Sequence, residues 1–237
     1  MLPPDDEHPR DIWHALDRFL EELSGHLSKR RLRKVLFGNS ELSGVNVGHK
    51  SEAFTEDELI FPLLESVDLQ WRREPGHDDN SAHDRWPDFD LTNTAIGVIG
   101  ENKPINRSSQ AVPEAKGYLS RESFDTPYSI GTDGIDWVVI GPSEGSTGYG
   151  KIEQVSFRKS LQHIADQQEY ADLPAFSSKP RENVLDPIAE FIETFRVSEF
   201  DEWMLLGLPL EGRRKYLDDK TGHQPSLAWF EDPKRRG

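Results

Sequence analysis

The chain has 237 residues, 43 acidic against 28 basic side chains, a formal net charge of −15 and no cysteine. That length suits one large domain, or a domain with a helical appendage, and buries a core without staples. Disulfides, thiolate zinc sites, thiol nucleophiles and iron–sulfur clusters are excluded, and the acidic balance by itself argues against nucleic-acid binding, which commonly shows a basic footprint.

The mean hydropathy is −0.70, yet 10% aromatic residues and short apolar runs such as 137–141 argue for a folded protein. No run is long enough to span a bilayer, and the acidic opening MLPPDDEHPR lacks the apolar stretch of a signal peptide, so a cytoplasmic setting is expected. Two settings fit the acidity: an ordinary acidic protein, or one suited to concentrated salt, where repulsion is screened within about 3 Å at 1 M.

Residues 1–9 predict a frayed terminus. Asp11 reads as an N-cap, and Ile12, Leu16, Leu20, Leu23, Leu27 and Leu32 recur at helical spacing, predicting one helix to about Leu36. The Gly/Ser/Asn-rich stretch 37–48 predicts a loop. Phe54, Leu59, Leu63 and Val67 predict a second helix from Ser51 or Thr55, kinked or broken at Pro62. A polar loop at 72–85 precedes a β-hairpin over 86–103 that turns at Asn93-Thr94. A helix opened by Ser108, Ser109 and Gln110 runs to about Leu119, with Pro113 delaying its first turn. Strands at 128–132 and 135–141 flank the turn Thr132-Asp133-Gly134, KIEQVSF at 151–157 is a third strand after a Gly-rich loop, and residues 159–170 form a helix. Two or three more helices follow from about residue 182. The predicted class is α/β, a mixed sheet flanked by helices, with a helical segment at 1–45, a core domain at 46–175 and a helical extension at 176–237.

The chemistry concentrates in the hairpin. Glu101 and Lys103 alternate onto one strand face. Pairing about Asn93-Thr94 puts Asp88 opposite Ile99 on that face, with Glu101 a diagonal neighbour at roughly 7–8 Å. Two carboxylates so placed offer hard oxygens to Mg²⁺ or Mn²⁺, and the adjacent ammonium neutralises charge on phosphate. A surface hairpin carrying a Glu/Lys ion pair explains the same spacing without a metal.

The run Pro87-Asp88-Phe89, followed thirteen residues after its Asp by Glu101-Asn102-Lys103, resembles the signature of the PD-(D/E)XK nuclease superfamily. Over 50–141 the chain is similar to the N-terminal domain of type I restriction enzyme R subunits. SEAFTEDELIFPLLESVDL at 51–69 resembles that domain's opening helix. Gln110, seven residues after Lys103, resembles the Gln that follows the active-site Lys. Tyr118 fits the aromatic near the end of the Gln helix, and GTDGIDWVVI at 131–140 resembles the strand-turn-strand written T-N-G-x-x-W.

The resemblance implies a restriction-endonuclease-like core at 46–175 and a Mg²⁺-dependent (or Mn²⁺-dependent) endonuclease that hydrolyses phosphodiester bonds in DNA, of restriction, defence or repair type. Asp88 and Glu101 would be metal ligands, Lys103 the catalytic lysine and Gln110 an accessory residue near the metal or the phosphate. The first-helix acid matches Glu52 best, with Glu56 and Glu58 left open. Asp133 stands where the family usually has Asn, and Pro113 interrupts the Gln helix. Too few residues follow 141 for helicase motor domains, so a stand-alone relative without ATP-driven translocation is expected. A homodimer or a partner subunit would supply the two sites of a double-strand cut. The alternative is a catalytically silent nuclease-fold module that binds DNA or protein, which the net charge favours.

Three further features carry residue types that suit chemistry or binding. Residues 145–151 fit G-x-x-x-x-G-K, but Ile152 follows instead of Ser or Thr and the pattern continues as a strand, which predicts a hairpin loop rather than a P-loop. The cluster His77, Asp78, Asp79, His83 and Asp84 predicts a solvated loop. Among the basic clusters, Lys29, Arg30, Arg31, Arg33 and Lys34 are expected to contact DNA, since an acidic chain must draw its phosphate contacts from such islands.

Overall fold

In the computed structural model, residues 7–48, 50–75, 86–121, 124, 126–142, 148–171, 182–197 and 200 are described. The first predicted helix is two helices, α1 (His8–His26) and α2 (Lys29–Leu36). Leu27 and Ser28 between them are extended, with φ/ψ of −117°/143° and −63°/149°. Both halves bury their own apolar stripe, Ile12, Leu16, Phe19, Leu20 and Leu23 in α1 and Leu32, Val35 and Leu36 in α2, so the apolar spacing runs through the break unmarked. α1 begins ahead of Asp11, with Glu7 as its N-cap and Pro9 in the first turn, where a fixed φ is already helical. The expected loop that follows contains one helical turn, α3 (Gly44–Val47).

The second predicted helix runs as α4 (Ser51–Thr55), a π-helical turn (Glu56–Ile60) and α5 (Phe61–Glu65). Pro62 has no N–H to give, and its ring crowds the preceding turn. The chain answers with one wider turn, in which the Phe61 N–H donates to Glu56 O.

Six strands form one sheet in the order β1 (Trp71–Arg73), β2 (Phe89–Leu91), β3 (Val98–Asn102), β4 (Tyr128–Thr132), β5 (Asp136–Pro142), β6 (Tyr149–Ser156). Only β3 and β4 are parallel; the other neighbours are antiparallel. β1 lies where a loop was expected. Its three residues are held by the Arg72–Asp90 ion pair at 2.6 Å and by Trp71 stacked on Phe61 with centroids 3.6 Å apart.

The hairpin is present, but its register differs from the expected one. Phe89 pairs with Gly100 and Leu91 with Val98, and residues 92–97 form the connection. Asn93 does not serve as a tight-turn residue: its Oδ1 accepts from the Gln70 N–H at 2.8 Å and its Nδ2 donates to Asp68 O at 2.7 Å. The slip is by two residues in the pairing sum, so every side chain keeps its expected face.

α6 (Ser108–Leu119) crosses from β3 to β4 and covers one face, packing Ala115 and Leu119 on Val138 and Ile140. It starts at the serine pair, as expected, with Asp133 Oδ2 accepting the Ser108 N–H at 3.1 Å. The opposite face is aromatic: Phe61 meets Phe89, and Phe191 and Phe195 of α8 (Glu182–Phe195) meet Trp137. α1 and α7 (Arg158–Gln167) close that layer.

The chain is thus mixed α/β, with a six-stranded mixed sheet flanked by helices. The described residues fall within one compact unit, residues 1–201, and residues 202–237, with the helices expected there, lie outside the described residues. The His/Asp cluster at 77–84 also lies outside them. Among the described residues no helix is long and apolar enough to cross a membrane.

Candidate active site

Odd-numbered side chains of β3 face α6, and the distance between the two is set at β4. Gly131 pairs with Glu101, and a Cβ at Gly131 would lie 2.9 Å from Val112 Cα. Only glycine lets α6 come that close. The approach brings Glu114 and Tyr118, one helical turn apart, over the carboxyl end of β3. Tyr118 Oη lies 2.9 Å from Glu101 Oε2 and 2.8 Å from Trp86 O, so its single proton serves one of two acceptors.

Asp88 extends the β2–β3 ladder, its N–H donating to Gly100 O at 2.9 Å. Its Oδ2 accepts the Asn102 N–H at 2.8 Å. Continuing the observed register sets Asp88 directly opposite Glu101, closer than the expected diagonal, so each carboxyl feels the other. The Lys103 ammonium donates to Glu101 Oε1 and lies 3.2 Å from Glu114 Oε2 and 3.7 Å from Glu52 Oε1. The Lys103 N–H still bonds Thr132 O at 3.0 Å, so the side chain is anchored at the end of the parallel pair.

Four carboxyl groups, those of Asp88, Glu101, Glu114 and Glu52, therefore gather around one ammonium. Burial pushes the Glu101 carboxyl up to about 8, helped by its hydrogen bond to Glu114 and by the charge of Asp88. Burial also raises Asp88, to about 6, against the Asn102 N–H and Lys103, which favour its charge. Burial works against the Lys103 charge, but the hydrogen bond and charge of Glu101, with Asp88 behind it, outweigh burial and raise its pKa. Lys103 stays an ammonium while the carboxyls retain a proton between them.

Behind β3 a second acid sits on the π-helical turn. Glu56 Oε1 accepts from Asn102 Nδ2 at 2.9 Å, and Glu56 lies 3.6 Å from Arg73. Burial, set against Arg73 and reinforced by Asp88 and Glu52, raises Glu56 to about 7. Glu58 turns away to Arg18 at 3.6 Å. Of the three candidate first-helix acids, Glu52 contacts Lys103, Glu56 contacts the β3 residue beside it, and Glu58 stands apart.

Gln110 is exposed in the first turn of α6 and makes no side-chain hydrogen bond with a described residue. It shares a helical stripe with Glu114 and Tyr118 but is not in contact with Asp88, Glu101 or Lys103. Glu114 reaches the lysine instead. The spacing of Glu114 and Tyr118, four residues apart on a helix following the Glu-x-Lys strand, was the available signal for it. Lys29, Arg30, Arg31, Arg33 and Lys34 are exposed on α2 and touch none of the carboxylates above.

A groove of about 640 Å³ lies elsewhere, between β6, α7 and α8, and mixes Lys151, Arg158, Asp186 and Glu190. Enclosure is not a requirement for a site that works on a polymer. Among the described residues no group of three or more His, Asp or Glu side chains forms a ready ion cage. Mg²⁺ does not need one, since one or two carboxylates, waters and substrate phosphates commonly complete its shell. Asp88 and Glu101 fit that pattern: they are hard oxygen donors, they face each other, and they hold a proton that a cation would displace. No family model, curated protein or solved structure matches the chain.

Proposed function

We propose that this protein is a divalent-metal-dependent deoxyribonuclease that hydrolyses phosphodiester bonds, built on a restriction-endonuclease-like core. One observation carries the reading: Asp88, Glu101 and Lys103 meet on one sheet face, with the lysine against three glutamates and within the field of Asp88. The resemblance of Pro87-Asp88 and Glu101-Asn102-Lys103 to the PD-(D/E)XK signature supports it.

Asp88 and Glu101 would hold Mg²⁺ or Mn²⁺. Such a cation supplies a Lewis acid for the phosphoryl group and lowers the pKa of water. The side chains divide the remaining work. The Tyr118 hydroxyl and the Asn102 N–H fix the two carboxylates from opposite sides. The Lys103 ammonium supplies positive charge where phosphate gains negative charge. Glu114 and Glu52 hold that ammonium in place until a phosphate competes for it. Hydrolysis breaks one P–O ester bond, joins a water oxygen to phosphorus and returns a proton to the leaving oxygen.

One feature favours the second reading, a module that binds without turnover: the ammonium is already satisfied by three glutamates. Plasmid cleavage with Mg²⁺ or Mn²⁺ across a salt series, with Lys103→Ala in parallel, decides between them. Cleavage lost in the variant, on DNA but not RNA, is the expected result. No cleavage by the folded wild type at any salt would leave the binding module standing.

A further inference from the structure

α2 breaks three local rules at once. Lys29, Arg30 and Arg31 occupy its first turn, at the positive end of the helix dipole, and no acidic residue offsets them there. Lys29 and Arg33, and Arg30 and Lys34, are like charges four residues apart, which repel across a helical turn. The N-cap Ser28 makes no side-chain capping bond. None of the five cations forms an ion pair with a described residue, in a chain where acids outnumber bases 43 to 28. Their one described side-chain contact is Arg33 over the Phe37 ring at 5.9 Å. A sequence with so many carboxylates available for pairing keeps these cations unpaired at a cost to the helix, and such local conflicts gather where a ligand resolves them.

Arg30, Arg31 and Lys34 line one shallow groove of about 320 Å³ with Ser28 and Ser40. Three cations and two hydroxyls make a lining for phosphate oxygens, with no apolar residue among them. The groove is also tied to the carboxylate site. Asn106, three residues after Lys103 and in the left-handed region at φ 69°, donates to Val35 O at 2.9 Å and Ser40 O at 2.7 Å. Arg107 donates to Glu41 Oε2 at 2.7 Å. The loop leaving Lys103 thus staples down the end of α2. Three residues span at most about 11 Å, so the loop that leaves Lys103 ties the end of α2 to the carboxylate site over a short stretch of backbone.

We infer that the Arg30–Arg31–Lys34 groove grips the phosphodiester backbone of the duplex DNA that is cut at Asp88, Glu101 and Lys103. This rests on the nuclease reading, but its test does not need turnover. A local island of unpaired cations gives a chain of net charge −15 a place to hold a polyanion.

The experiment is fluorescence anisotropy of a labelled duplex of about three turns, without divalent metal, over a salt series, using wild type and Arg30→Gln/Arg31→Gln/Lys34→Gln. The fold of each is checked by thermal melting. Wild type is expected to bind with a steep salt dependence. The triple variant should lose affinity at least tenfold at low salt and flatten the log–log slope by about 0.9 for each lost phosphate contact. A Lys29→Gln/Arg33→Gln variant, off the groove, should lose less. Unchanged affinity and slope in the folded triple variant would overturn the groove while leaving the nuclease reading intact. Loss of binding in a protein that never cleaves would keep the groove and sink the nuclease. No duplex binding by wild type even at low salt, or equal competition by polyglutamate, would overturn DNA as the occupant.

Discussion

At the carboxyl end of β3, three glutamates pair with one ammonium beside Asp88, and Glu101 is only 3% exposed. On α2, five cations stand in solvent with no described acid paired to them. The first region has resolved its charge internally, with Lys103 and shared protons. The second has not. A cluster that satisfies itself is rigid and selective, because an incoming cation must displace a proton and an incoming phosphate must displace a glutamate. An unsatisfied cluster costs nothing further to occupy, apart from its own hydration, and responds steeply to salt. The two regions suit different tasks: chemistry at one, capture at the other.

The largest expected effect separates those tasks. Asp88→Asn or Glu101→Gln should lower cleavage by about 100-fold or more, the scale of losing one electrostatic element of an active site. Either should also abolish a Mn²⁺-induced rise in melting temperature, which reads binding without turnover. Both should keep duplex affinity in metal-free buffer. A full Mn²⁺ shift in Asp88→Asn would break the assignment of the cation to this pair.

Much of this site could be read from the residues, and the reason is parity. Asp88, Glu101 and Lys103 share a face in both the expected and the observed register, because the slip was by an even number of positions. What escaped the sequence was distance and partnership. Nothing in the spacing shows that Asn93 would bond Gln70 and Asp68 instead of turning the chain. Nothing shows that a glycine on β4 would bring Glu114 to the lysine while Gln110 stayed exposed. β1 was hidden for another reason: a three-residue strand has no periodicity, and it exists through the Trp71–Phe61 stack and the Arg72–Asp90 pair. The α1–α2 break was hidden because apolar spacing reports burial, and both halves are buried.

Tyr118→Phe probes how rigid the self-satisfied cluster is. The variant keeps the ring packing and removes one oxygen donor from Glu101. The expected cost is about 1–2 kcal/mol in urea denaturation, and about a tenfold loss in cleavage at saturating DNA if the carboxylate drifts. Lower stability with an undiminished rate would reduce Tyr118 to scaffold.

Asp133→Asn tests the attachment of α6. The buried carboxylate accepts three backbone N–H groups, from Ser108, Ile135 and Asp136. An amide turns its NH₂ toward one of these donors, costing about 1–2 kcal/mol. Burial raises the Asp133 pKa from 3.8 to about 6, against those backbone donors. The folded state therefore binds more protons than the unfolded state between these values, and this group's contribution to stability falls as pH rises from about 4 to 6. The Asn variant should lack that slope. An unchanged pH profile would place the titration elsewhere.

The smallest effect is a gain. Gly117 lies inside α6 next to Tyr118, and a Cβ there would meet no described atom within 4 Å. Gly117→Ala should add about 0.5–1 kcal/mol and raise the melting temperature by about 2–4 °C per kcal/mol. Position 117 is three residues from Glu114, on the flank of the helix that borders the carboxylates. If the variant is more stable and equally active, the glycine there is neutral and α6 is only a support. If it is more stable but cleaves more slowly, with duplex binding through α2 unchanged, the open space at 117 is where the substrate backbone passes. Capture and chemistry would then be joined by a path along α6 as well as through the Asn106 staple.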